Sequence, residues 1–110
     1  MLASRFFPAT GWSTPSVVSA PGSAVLGQVK VLVSGAGNAQ VLWPQMVGLR
    51  TELWSARFTA SGWKMPTRVS PDGMGLQSSL APIFSADGDV RGRTLAVFVI
   101  GDMIWQARFE

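Results

Sequence analysis

Leu53-Trp54-Ser55-Ala56-Arg57-Phe58-Thr59-Ala60-Ser61-Gly62-Trp63-Lys64-Met65-Pro66 organises this chain, because parts of it return at both ends. Residues 57–66 are echoed by Arg5-Phe6-Phe7-Pro8-Ala9-Thr10-Gly11-Trp12-Ser13-Thr14-Pro15. Residues 53–58 are echoed by Ile104-Trp105-Gln106-Ala107-Arg108-Phe109. Trp12 and Trp63, Ser19 and Ser70, Ser34 and Ser85, and Trp54 and Trp105 each stand 51 residues apart. A fixed period of this order, ~20–50 residues, marks a repeat architecture in which each unit buries its apolar face against a neighbour.

Within one period the apolar residues follow the two-residue rhythm of strands, and no window carries the 3.6-residue rhythm of a helix. Residues 29–34 are β-branched and alternating, and residues 39–44 form a second run. Gly35-Ala36-Gly37-Asn38 lies between them as a tight turn, since Gly and Asn tolerate positive φ. Residues 51–59 make a third strand. Ser61-Gly62 then turns the chain into a fourth over 63–69, where Pro66 suits an edge position. The second copy repeats the order at 80–85, 93–100 and 103–109, with Trp43 and Phe98 aligned 55 residues apart across a longer first hairpin. The apolar run 95–100 reads as a buried strand. The fourth strand of this copy is missing, and residues 11–19 are its only candidate.

Four short antiparallel strands in ~40–50 residues are the blade unit of a β-propeller. The predicted fold is therefore all-β, with two four-stranded antiparallel blades in a single unit spanning residues 1–110. Blade one covers about 29–70 and blade two about 80–110. Two blades cannot close a ring, because propellers have ~4–8. Left alone, they would expose apolar faces and sheet edges. Completion by homo-oligomerisation is the consequence, first as a homotrimer with six blades, with a dimer or a tetramer behind it. In that ring blade two is completed by residues 11–19 of a neighbouring copy. Residues 2–7 and 103–109 both resemble the third strand and contend for one slot. The C-terminal copy carries Trp105, so it is expected to win, with the first residues displaced or frayed.

Composition removes several functions. Apolar residues make up 47% of the chain and charged ones 14%, which argues against disorder. No apolar run approaches the ~20 residues of a membrane helix, so no membrane insertion is expected. The net charge of +3 comes from Lys30, Lys64 and seven scattered arginines, without the basic stripe of a nucleic-acid binder, so no nucleic-acid partner is expected. The chain has neither Cys nor His, which removes disulfides, thiol catalysis, and the commonest metal ligand and general base. Asp87 and Asp89 alone fall short of the ~6–8 oxygens that calcium takes. No cofactor or metal is expected.

The pattern Trp-Ser-Ala-Arg-Phe-Thr-Ala-Ser-Gly-Trp at 54–63, with Pro66 three residues on, and the segment Gly37-Asn38-Ala39-Gln40-Val41-Leu42-Trp43 together resemble a family of bacterial sialidase-like β-propeller repeats. The resemblance covers nearly the whole chain. Ser85-Ala86-Asp87-Gly88-Asp89 approaches the turn motif of sialidases, though its Gly comes one place early and the aromatic is absent. The layout of two blades on a short chain is similar to small bacterial lectins that trimerise into six-bladed, sugar-binding propellers. These resemblances imply a propeller fold, glycan partners, and a secreted or cell-surface location. No basic stretch followed by an apolar one opens the sequence as a signal peptide would.

The candidate sugar-binding residues are Trp12, Trp63, Arg57, Arg108 and Glu52. Trp12 and Trp63 begin equivalent fourth strands near a loop end, where an indole face can stack on the C–H face of a sugar. The competing use of these rings is packing between blades, which is the reading for Trp54 and Trp105. Arg57 and Arg108 lie on the opposite face of the third strand from those two Trp. An Arg there either stacks on a ring or pairs with a turn Asp, as structure, or forks onto sugar hydroxyls in a pocket between blades. Glu52 aligns with Met103, so a site using it exists once per protomer. The hairpin 86–93, with Asp87, Asp89, Arg91 and Arg93, is likewise unique to one copy.

Catalysis is not expected. Glycoside hydrolysis by the common route needs two acids facing one sugar, five of the six acids fall in predicted turns or at a terminus, and there is no Tyr. The function read from these residues is a noncatalytic, lectin-like carbohydrate-binding module acting as a multivalent homo-oligomer. Its alternative is a self-assembling structural fragment, or an engineered or ancestral-like propeller unit, without a ligand. A sialidase-type hydrolase comes third, disfavoured by the missing Tyr and His.

Overall fold

A computed structural model of the chain describes residues 1–19, 24–34, 37–75, 84–101 and 103–109. The described residues form an all-β structure with no helix, built from a curled arrangement of antiparallel sheets. In chain order the strands are β1 (Leu2–Ala3), β2 (Phe6–Phe7), β3 (Gly11–Trp12), β4 (Ser16–Val17), β5 (Ala24–Val25), β6 (Lys30–Val33) and β7 (Ala39–Val47). After them come β8 (Arg50–Thr59), β9 (Gly62–Trp63), β10 (Thr67–Arg68), β11 (Phe84–Gly88), β12 (Thr94–Ile100) and β13 (Met103–Phe109). No helix is long and apolar enough to cross a membrane among these residues.

The central sheet is the meander expected from the first period: β6 pairs β7, β7 pairs β8, and β8 pairs both β9 and β10. The fourth strand is broken between β9 and β10, around Pro66, which has no N–H to give a ladder. β11, β12 and β13 form a second, three-stranded meander. Residues 80–83 of the expected strand 80–85, Gly35 and Ala36 of the expected turn, Asp102 and Glu110 lie outside the described residues. In the run 95–100 Ala96 and Phe98 are buried, Val97, Val99 and Ile100 are partly buried and Leu95 is exposed, so the strand is buried on one face and only partly on the other.

Two expected boundaries move. The strand expected at 80–85 continues as β11 to Gly88, because Ala86, Asp87 and Gly88 pair Ala96, Leu95 and Thr94. Residues 39–44 were to end at Pro44, yet β7 continues to Val47 with Pro44 fully buried inside it. The reason is a change of neighbour. β6 pairs β7 only as far as Leu42, and β5 takes over at Gln45 and Met46. The Pro44 carbonyl accepts the Leu26 N–H at 2.9 Å on that same edge. The N–H that proline lacks therefore falls at the break between two partners, where no ladder bond is lost.

The central sheet is buried on both faces. On one face Leu42 and Leu53 pack with Ala86, Ala96 and Phe98 of the C-terminal sheet, and Trp105, Ala107 and Phe109 close around them. On the other, Val41, Trp43 and Ala56 pack with Val18, and Met1, Ala3 and Trp54 adjoin them. Three layers thus stack in a row, giving extents of 48 × 30 × 20 Å and a radius of gyration of 14.3 Å. A compact chain of this length has about 13 Å, so the stack is open at its ends.

The N-terminal layer is a second copy of the β8–β10 corner. Leu2 pairs Val17 and Ala3 pairs Ser16, as Trp54 pairs Arg68 and Ser55 pairs Thr67. The Ser13 N–H donates to the Arg5 carbonyl, as Lys64 does to Arg57; Val18 donates to Met1, as Val69 does to Leu53. Ser19 Oγ accepts from the Met1 amino group at 2.7 Å, and Ser70 Oγ from the Leu53 N–H at 3.1 Å. Even the ring pairs match, Phe6–Trp12 and Phe58–Trp63 both meeting edge to face at 5.5 and 5.3 Å. In the single chain, residues 2–7 are thus paired with residues 11–17 rather than frayed.

Phe98 joins the C-terminal layer to the central one, so Phe98→Ala is expected to cost about 3–5 kcal/mol. Urea unfolding followed by Trp fluorescence measures this as a lower midpoint.

Candidate functional site

A cleft of about 410 Å³ opens where the C-terminal sheet meets the central one. Its walls are the end of β6 and the start of β7, the end of β8 with Arg57 and Phe58, and the hairpin between β11 and β12 with Asp87, Asp89, Arg91 and Gly92. The hairpin is built by its own side chains. Asp89 Oδ1 accepts the backbone N–H groups of Arg91 and Arg93 at 2.9 and 3.1 Å, the local turn chemistry that suits Asp. Asp89 Oδ2 takes Arg93 Nε at 2.7 Å and a second guanidinium nitrogen at 2.6 Å. Gly92 closes the turn at φ +84°, where any Cβ would be strained, and its N–H donates to the Asp89 carbonyl.

Arg57 reaches across the cleft, and its Nη2 donates to the Gly92 carbonyl at 3.2 Å. The hairpin between β6 and β7 has the same design, so the hairpin 86–93 is neither unique to one copy nor longer at its turn, and Asp89 rather than Ser85 stands in the place of Ser34. Ser34 and Asn38 pair there as Asp89 and Arg93 do, and Gly37, at φ +79°, donates to the Ser34 carbonyl. Arg5 holds this turn from the N-terminal layer. Its guanidinium lies 4.4 Å over the Phe58 ring, with Nη2 3.8 Å from where a Cβ on Gly37 would stand. Each layer therefore sends the Arg of its third strand to the first turn of the next layer.

Across the ladder from Arg57 stands Gln40. It is 4% exposed and lines the cleft, and neither its amide oxygen nor its amide nitrogen has a hydrogen-bond partner. The Ser34 hydroxyl, also on the cleft wall, is buried without a partner too. Such groups cost ~1–3 kcal/mol each when left unsatisfied. A donor, an acceptor, a hydroxyl and a guanidinium thus converge in one cleft, an arrangement that suits a ligand bearing several hydroxyls, while the Phe58 ring turns to the other face of β8 under Arg5.

A second, more open cleft of about 400 Å³ lies on the other side of the same hairpin. It is lined by Asp87, Gly88, Asp89, Arg93, Thr94, Leu95, Arg108 and Phe109, which are the repeat counterparts of Leu32, Val33, Ser34, Asn38, Ala39, Gln40, Arg57 and Phe58 of the first. Leu95 takes the place of Gln40 opposite the Arg. Among the described residues no layer faces the second cleft.

The sequence candidates are dispersed. Arg57 and Arg108 line the two clefts. Glu52 is buried five residues from Arg57, about 17 Å along the strand. There its Oε1 accepts the Trp54 indole N–H at 3.1 Å, as Gln45 accepts that of Trp43 at 2.9 Å. Trp63 rests edge-on against Phe58 and adjoins the core, while Trp12 is 72% exposed beside Phe6. Neither indole lines a cleft. Sequence reading missed Gln40 and Ser34. Gln40 is the lone polar residue between Ala39 and Pro44 and has no polar counterpart in the second copy, which was its available signal. Among the described residues no three His, Cys, Asp or Glu side chains gather to hold a metal.

Comparisons with protein-family models, with characterised proteins and with solved structures return no match. The resemblance to sialidase-like repeats accordingly rests on the motif residues themselves, and the similarity to two-blade lectins on layout alone.

The Asp89 carboxyl is held below its ordinary value of 3.8, first by the Arg93 side-chain hydrogen bond, against an opposing push from desolvation and with help from the two backbone N–H groups. A depressed pKa contributes order that is complete above the ordinary value and lost as pH falls through the lowered one. Acidification below pH 3.8 is thus expected to release the Arg91 and Arg93 amides. Amide exchange by NMR measures it, and Asp89→Asn removes the transition.

Proposed function

We propose that the chain is a noncatalytic carbohydrate-binding module that works as a homo-oligomeric β-propeller. Two four-stranded blades come from each protomer and three protomers close a six-bladed ring, with residues 11–19 of one copy completing blade two of the next. The layered packing supports this reading, because one layer's Arg-bearing face meets the next layer's Trp-bearing face at both junctions within the chain.

The observation that carries the ligand class is the Gln40 amide, buried with both polar atoms unpartnered beside Arg57. Neighbouring sugar hydroxyls supply both a donor and an acceptor to such an amide. Asp89 is committed to Arg93 and its own turn, and Asp87 shares the outward face of its sheet with Leu95 and Arg108, whereas the common glycosidase route needs two carboxylates facing one sugar. Binding without catalysis follows. A ring would present the cleft three times, and linked weak sites gain ~10²–10⁴ in avidity.

The second reading is a self-assembling scaffold without a ligand. The Arg57 contact to Gly92 favours it, since that bond holds two layers together whether or not a sugar is present.

Sedimentation is expected to give about 35 kDa, three times the 11.7 kDa chain. A glycan array and NMR titration with simple sugars then separate the two readings. Gln40→Leu is expected to abolish the sugar response without lowering the melting temperature, because it removes two unpartnered buried atoms. No response from the unaltered protein to any sugar leaves the scaffold reading.

A further inference from the structure

From the match between the two ends of the chain, we infer that residues 1–7 of one copy and residues 103–109 of another compete for the same seat. The inference rests on the ring proposed above and adds a closed, unassembled state to it. The seat is the edge of residues 11–17 together with the Trp43-bearing face of the central sheet. In the single chain residues 1–7 occupy it, with Met1 and Ala3 on that face and Arg5 at the Gly37 turn.

Residues 103–109 carry the same repeat. Ile104 stands for Met1, Trp105 for Leu2, Gln106 for Ala3, Arg108 for Arg5 and Phe109 for Phe6. β13 is also the open edge of its sheet, for it pairs β12 alone among the described strands. Its outward face bears Ile104, 75% exposed, beside Leu95 and Arg108, also exposed. The equivalent face of the central sheet is covered, so the chain itself shows what this face packs against.

The exchanged register follows from the closed one. Trp105 pairs Val17 and Gln106 pairs Ser16, while Arg108 reaches the Gly37 turn as Arg57 reaches Gly92. The exchange gives the second, half-walled cleft its missing side. It covers the face bearing Ile104 and Leu95, and in return releases Leu2 and Phe6, which are already mostly exposed where they sit. Residues 1–7 thus act as an internal stopper whose displacement couples the closed monomer to assembly.

The chain contains no cysteine, so introduced pairs report cleanly. Ser16→Cys with Gln106→Cys is expected to oxidise between chains, giving disulfide-linked multiples on a non-reducing gel. Ala3→Cys with Ser16→Cys is expected to oxidise within one chain, because those residues are cross-strand partners, and to sediment as a monomer until reduced. Oxidised Ala3→Cys/Ser16→Cys protein that assembles like the unaltered chain overturns the exchange while leaving the ring. Absence of interchain disulfides in the first variant, in a chain that does assemble, overturns it equally. An unaltered chain that stays monomeric at every concentration removes the ring and the exchange together.

Discussion

Residues 41–56 bury two opposite faces at once, Leu42 and Leu53 on one side and Val41, Trp43 and Ala56 on the other. A sheet with one apolar face is satisfied by one neighbour; this sheet needs two. Everything else in the chain answers that demand. The C-terminal sheet covers the leucines, and the N-terminal hairpin covers the tryptophan. Among the described residues neither covering layer is itself covered on its far side, so the row of layers ends twice without closing.

The junctions between layers are polar at one end, and the reason lies in turn geometry. Each first hairpin closes on a glycine in the left-handed region, Gly37 or Gly92, and an Arg from the preceding layer comes to it. A guanidinium can span the gap between two sheets where their apolar contact runs out. The cleft is what remains beneath that span. Its floor at Gln40 departs from the repeat, which has Leu95 in the equivalent place. A repeat that gives up an apolar floor for a buried amide at one junction has lost packing there, and such losses collect where a site needs polar groups.

Much of the layout was legible beforehand. The 51-residue period and the two-residue rhythm placed four of the six strands longer than two residues to within a residue at each end, and a contact from Arg57 to a turn was among its readings, though it meets a backbone carbonyl rather than an Asp. Besides the shift of β11, three things escaped. Pro44 looked like a strand end, because its tolerance inside β7 depends on β5 replacing β6 alongside it, a pairing of residues far apart in sequence. Glu52 looked like a ligand group, because nothing local reveals that its carboxylate meets the Trp54 indole. Gln40 looked like an ordinary strand residue, because burial without a partner is a property of the surrounding layers.

The sequence alone determined the strand order, the repeat, and the duplication of the third strand at the two ends, since these follow from periodicity and turn residues along a single chain. Tertiary structure decided which duplicate sits beside residues 11–17. Both copies satisfy the same ladder and the same apolar face, so local propensity cannot rank them. In the single chain the nearer segment takes the place, because closing a short loop costs less entropy than bringing in a distant strand. The same difference separates the cleft from its half-built counterpart: one has a second layer standing opposite, and the other has the repeat counterparts of those residues with no described strand facing them.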